Sequence, residues 1–187
     1  ANDAVFSRYI APGDVVMVNS TAGGGHISHH KSGSVGKYTK NIVDFPLTPD
    51  GYHLDCEQTE KLITKLHPRV LILGKSLFLF PEPVRELRKV CSDNGTTVIY
   101  DAAHVLGLIA GKRFQDPLAE GADIMTASTH KTFFGSQRGL IMSNLSTKDW
   151  WKIDKGAFPG SSSNHHLDTL VSLAISTCEM IAFAETY

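Results

Sequence analysis

Six short apolar runs recur along the chain, and stretches with helical spacing lie between them. The runs are Val15–Asn19 (VVMVN), Ile42–Leu47, Val70–Gly74 (VLILG), Thr97–Asp101 (TVIYD), Ala122–Thr126 (ADIMT) and Gly139–Met142. Their length and β-branched content mark them as strands, and most are nearly continuous in apolar character. Strands of that kind are covered on both faces, which is the habit of parallel sheets. Helices are expected from Ala1 to the turn at Pro12-Gly13-Asp14, over Asp55–His67 with Leu62, Ile63 and Leu66 on one face, and over Glu82–Asp93 with Gly95 close behind. Strand and helix alternate, so the pattern predicts an α/β fold, a mostly parallel sheet with helices on both faces, in a single domain over residues 1–187. The opening ANDAVFSRYI reads as a helix already under way, and LDTLVSLAISTCEMIAFAETY ends without a stop signal. Both ends are therefore expected to be cuts in a longer chain.

Bulk properties narrow the partners. The chain has 187 residues, 42% hydrophobic and 20% charged, with a net charge of −1. That balance provides no electrostatic grip on nucleic acid or on an anionic membrane. No apolar run reaches transmembrane length, and no signal peptide is visible. Cys56, Cys91 and Cys178 are far apart and form no CxxC pair. Neither a zinc knuckle nor a disulfide framework is indicated, and a reducing, cytoplasmic setting is expected.

In open α/β sheets, ligands collect beyond the carboxyl ends of the strands. That rule sorts the polar residues. His26 follows the first strand, Ser76 the VLILG strand, Asp101 ends the TVIYD strand with His104 three residues on, and Ser128, His130 and Lys131 follow the ADIMT strand. All are expected to line one crevice. An acid, a lysine and a flat ring converging at strand ends fit a pyridoxal phosphate site. The lysine bonds the cofactor aldehyde, the carboxylate pairs with the protonated pyridine nitrogen, and the ring stacks on the cofactor. Blander readings compete: a strand-end Asp commonly caps the next helix, and a loop Lys is commonly a solvated charge. His29-His30 and His165-His166 lack a Cys or carboxylate at a familiar ligand spacing, so no metal is expected. Gly23, Gly24 and Gly25 lack the arrangement of a phosphate-binding glycine motif.

Several stretches carry a resemblance. YDAAHVLGLIAG (Tyr100–Gly111) and ADIMTASTHKTFFGSQRGLIM (Ala122–Met142) look like the serine hydroxymethyltransferase family of fold-type I pyridoxal phosphate enzymes. AGGGHISHH (Ala22–His30) is similar to the family's AHGGHLTHG, FPGSSSNHHL (Phe158–Leu167) stands in place of its FPGGQGGP loop, and ANDAVFSRYIAPGD resembles ANxAVYxALLxPGD. The likeness runs over essentially the whole chain. It implies that Lys131 carries the cofactor and that Asp101 pairs with the pyridine nitrogen. It places His104 beside Asp101 near the phenolic side, stacks His26 on the ring, and assigns the phenolic oxygen to Ser76. It implies that His130 helps hold the phosphate and the lysine linkage, that Gly135 turns the chain away after Lys131, and that Gly160 reaches the phosphate of a neighbouring subunit in a homodimer or larger assembly. The implied reaction interconverts serine and glycine, with the one-carbon unit passing to tetrahydrofolate or a related pterin.

The sequence also departs from the family. The phosphate-binding Ser-Gly-Ser loop would precede Ala1, and the N-terminal tyrosine and glutamate and the C-terminal domain with its substrate arginine have no counterpart here. GSQRG (Gly135–Gly139) replaces GPRGG, which moves the arginine to Arg138. SSSNHH replaces a glycine-rich loop, and Thr21 stands where a leucine commonly meets the folate ring. These changes suggest a divergent, archaeal-like branch. They keep two other readings open: a β-hydroxy-amino-acid aldolase or threonine transaldolase, and a non-catalytic truncated product.

Overall fold

A computed structural model describes residues 1–186. The elements run α1 (Asn2–Tyr9), β1 (Val16–Val18), β2 (Ile42–Asp44), α2 (Cys56–Leu66), β3 (Val70–Leu73), α3 (Val84–Asp93), β4 (Thr97–Asp101), α4 (Leu106–Ala110), α5 (Pro117–Glu120), β5 (Ile124–His130), β6 (Phe134–Ser143), α6 (Thr147–Lys155) and α7 (Leu167–Ala182). The sheet has the order β2-β1-β3-β4-β5-β6. Every pairing is parallel except that of β5 with β6. The fold is thus α/β with a mostly parallel sheet, as the alternation of runs predicts.

Period-two side-chain alternation divides the core into two layers. Val16, Val18, Val70, Ile72, Ile99 and Ile124 pack toward Val5 and Phe6 of α1 and Ile153 of α6. Met17, Leu71, Leu73, Val98, Tyr100 and Met125 pack on the other face with Ile63 of α2 and Leu87 and Cys91 of α3. Both faces are therefore helix-covered, which explains why β1 and β3 are wholly apolar and the polar residues of β4 and β5 gather toward the strand ends. The helix starts follow local chemistry. Asp55, Asp116 and Ser146 each accept a backbone N–H in the first turn of α2, α5 and α6, the usual N-cap arrangement.

Several boundaries differ from the sequence reading, β2 among them, which ends at Asp44 and not at Leu47, and three bear on the site. β5 begins later than expected and continues to His130, so Ser128 and His130 lie on the strand and do not follow it. β6 begins at Phe134, well before Gly139, so Gly135 lies inside a strand and not at the turn. The cause is antiparallel pairing, Ala127 with Leu140, Ser128 with Gly139 and His130 with Phe134, which extends both strands through polar sequence. α3 starts at Val84 because Pro83 occupies its N-cap, which leaves Glu82 free to turn inward.

Candidate active site

The strand order reverses at β1, which has β2 on one side and β3 on the other. Loops after adjacent strands diverge at such a point and open a crevice. Here a crevice of about 420 Å³ is lined by His26 and Ser28, Lys75, Asp101 and His104, Ser128 and His130 on β5, Lys131 just after it, Arg138 on β6, and Asn2 at the start of α1. His26, Asp101, His104, Ser128, His130 and Lys131 are therefore brought together, as the strand-end rule predicts. Ser76 and Gly160 are not in this wall. Ser76 sits half-buried in the turn after β3 and donates its N–H to Gly24 O at 2.7 Å. Gly160 is exposed in the irregular helical segment Gly156–Ser161, beside Arg8 and Lys155.

Asp101 occupies the floor. It ends β4, in register with Thr126 of β5, and is 6% exposed. Its Oδ2 accepts from His29 Nε2 at 2.8 Å and from Asn2 Nδ2 at 2.7 Å, while Oδ1 accepts the Ala103 N–H at 3.0 Å. Thr126 Oγ1 donates to Asn2 Oδ1 at 2.6 Å and so orients that amide. Burial works to raise the Asp101 carboxyl. The His29 hydrogen bond and charge, with the Asn2 and Ala103 donors, overcome it and hold the carboxyl well below the usual carboxylate range. The result is a buried group that stays anionic. Backbone packing fixes its place: Gly74 has φ +135°, and a Cβ there would lie 2.4 Å from Asp101 O.

Lys131 lies in the turn between β5 and β6. Its Nζ is 3.1 Å from His104 Nε2. The two segments are also latched by Thr132 Oγ1, which donates to His104 O at 3.0 Å. Burial, then the charge of Lys131, lowers the His104 pKa. Burial, then His29, lowers that of His26. Both rings start from an ordinary value near 6.5, so they are neutral at pH 7. Neutral His104 can accept a hydrogen bond from the Lys131 ammonium. His26 Nδ1 faces Ser28 on both counts, accepting its N–H at 3.1 Å and lying 2.7 Å from its Oγ. This pins the ring 6.0 Å from His29 and 6.3 Å from His104, centroid to centroid.

Sequence reasoning missed His29, Asn2 and Thr126. In the sequence, His29 stands beside His30 and reads only as a possible metal ligand. The two have different partners, since His30 Nε2 is 3.1 Å from Asn19 O. Among the described residues, no three His, Cys, Asp or Glu side chains are grouped to hold a metal ion. A signal for His29 existed in its three-residue spacing from His26, one turn of a short helix that seats both rings over the sheet edge.

The donor set suits pyridoxal phosphate: a lysine amine at the crevice wall, a buried anion for a protonated ring nitrogen, and the flat ring of His26 in the same crevice. Among the described residues His29 Nδ1 is buried and without a hydrogen-bond partner, so the ring's polar contact to this site is the one from Nε2 to Asp101.

A mostly parallel sheet with this lysine and this shielded carboxylate at its carboxyl edge has the layout of the fold-type I transferases. The chain belongs to the serine hydroxymethyltransferase family, whose model matches residues 1–183. It is 45% identical over 187 residues to the serine hydroxymethyltransferase of Archaeoglobus fulgidus, covering all of this chain and 42% of that protein. It is 47% identical over 189 positions to that of Thermococcus gammatolerans and 44% identical to that of Thermoplasma acidophilum, covering 44% of each. The chain thus spans less than half the length of these relatives. All three are archaeal, in keeping with the branch that the departures suggest.

Proposed function

We propose that the protein containing this segment is a pyridoxal phosphate-dependent hydroxymethyltransferase that interconverts serine and glycine. Residues 1–187 then contribute one cofactor-binding domain, or part of it. The observation that carries this reading is the pairing of Lys131 and its neutral acceptor His104 with a buried Asp101 that is anionic at neutral pH, in one crevice.

The cofactor, when bound, supplies an aldehyde for the amine and an electron-withdrawing ring for the amino acid. Lys131 is the covalent anchor. His104 receives a hydrogen bond from the Lys131 ammonium and can take up its proton as the amine is freed. Asp101 holds a proton on the ring nitrogen, and His29 and Asn2 keep the carboxylate in place to do so. His26 flanks the ring. His130 stands one residue before Lys131, on the same wall. Ser76 and Gly160 are assigned to the phenolic oxygen and to the phosphate of a second copy in a homodimer or larger assembly. The exposure of Gly160 away from this crevice supports the latter. Tetrahydrofolate or a related pterin takes the one-carbon unit. The three free thiols support a cytoplasmic setting, and no helix among the described residues is long and apolar enough to cross a membrane.

Two assays test the reading on the full-length protein. Borohydride reduction with pyridoxal phosphate, followed by peptide mapping, is expected to mark Lys131, and Lys131→Gln should abolish that mark. Serine cleavage is expected to depend on the pterin carrier. Carrier-independent cleavage would move the protein to the β-hydroxy-amino-acid aldolases or threonine transaldolases, a reading that Thr21 and Ser161–His166 keep open. Marking of many lysines, or of none, would overturn both readings.

A further inference from the structure

A second buried polar cluster lies at the ends of β1 and β3, and the proposed reaction does not use it. Lys75 Nζ is 3.2 Å from Glu82 Oε1, with side chains 6% and 1% exposed. Lys75 Nζ also donates to Tyr52 O at 2.9 Å. Asn19 Nδ2 donates to Glu82 Oε2 at 2.9 Å and reaches Gly74 O at 3.3 Å. The Glu82 backbone is held in turn: its N–H donates to Gln115 Oε1 at 2.7 Å and its carbonyl accepts from Gln115 Nε2 at 3.0 Å. Burial holds the Glu82 carboxyl above its ordinary value, and Lys75, then Asn19, pull it only part of the way back.

A buried ion pair is a poor source of stability, because desolvation offsets the attraction. Apolar residues of similar volume would fill such a buried site at least as well. The backbone around Lys75 suggests what the pair does instead. Gly25 and Lys75 form an isolated antiparallel bridge, and the next residue, Ser76, donates its N–H to Gly24 O. Lys75 therefore sits in a clasp between the glycine-rich loop that carries His26 and the turn that carries Ser76. Its ammonium is tied to Glu82, just before α3, and Asn19 ties the same carboxylate to the end of β1.

We propose that Lys75 and Glu82 are positioning residues: their buried ion pair locks the turn after β3 against the glycine-rich loop and so sets where His26 and Ser76 stand relative to Asp101 and Lys131. The consequence for the cofactor rests on the function proposed above; the locking itself does not.

The test uses the full-length protein. Either single neutralisation strands a buried charge, so the informative variant is Lys75→Met with Glu82→Gln. Without cofactor, the Ser76 amide is expected to exchange about tenfold faster in this variant, while the Ile72 and Ile99 amides keep their rates. With pyridoxal phosphate, Lys131 should still be marked, but the cofactor should leave about tenfold faster, as expected of a loosened supporting contact. Unchanged Ser76 exchange in the folded double variant would overturn the proposal and make the pair a packing feature only. If the double variant does not fold, Glu82→Asp keeps both charges and shortens the reach by one methylene. It should speed Ser76 exchange alone, and no change would again overturn the proposal. A parent protein that traps no cofactor at Lys131 would sink the functional reading, while the exchange rates would still decide the role of the pair.

Discussion

Asp101 shows how one residue's environment makes chemistry possible. A carboxylate this deep would ordinarily protonate; three donors keep it charged. His29→Ala removes one donor and is expected to destabilise the fold by about 2 kcal/mol at pH 7. The sign of its pH dependence follows from linkage. The folded Asp101 pKa is depressed, so its contribution is fully present above the unfolded value near 3.9 and is lost as pH falls below it. Denaturant titrations of parent and variant should therefore converge as pH drops below about 4. A gap that stayed constant would mean that His29 acts by packing alone. Asp101→Asn should fold yet lower turnover of the full-length enzyme on the order of 100-fold or more, the scale of losing a fixed charge at a reacting centre. Steady-state rates for serine cleavage measure this directly.

At the scale of elements, the helices and turns around the crevice separate cleanly in what they support. α6 packs Ile153 into the layer beneath α1 and is capped by Ser146, whose Oγ accepts the Asp149 N–H at 3.3 Å. Ser146→Ala should cost about 1 kcal/mol, read as a shift in denaturation midpoint, with trapping at Lys131 untouched. Gly74→Ala is a different case. At φ +135° a side chain is strained, and its Cβ would press on Asp101 O. This variant should lose about 2 kcal/mol or more and also weaken cofactor retention, because the displaced strand end carries Asp101. A variant that lost stability but bound cofactor normally would show that the strand end can move without the carboxylate.

For the whole molecule, a site assembled from the ends of β1, β3, β4 and β5 couples binding to folding. Pyridoxal phosphate at a hundred times its Kd is expected to stabilise the protein by about 2.7 kcal/mol, seen as a rise in Tm. Lys131→Gln should lose most of that rise. An equal rise in the variant would place the binding energy elsewhere. Subunit exchange should matter as well if Gly160 serves a second copy.

The amino-acid sequence by itself determined the α/β class, the six strands and the identity of Lys131, Asp101, His26 and His104 as neighbours. Each of those rests on information local in the chain: apolar runs covered on both faces, and polar residues placed just past them. The β5–β6 boundaries were not legible, because pairing with a partner strand carried both strands through polar residues. The roles of His29, Asn2 and Thr126 around Asp101, and the Lys75–Glu82–Asn19 clasp, were decided only by the tertiary structure. Most of those contacts join residues far apart in sequence, and the burial that makes their charges consequential exists only once the sheet and its helices close over them.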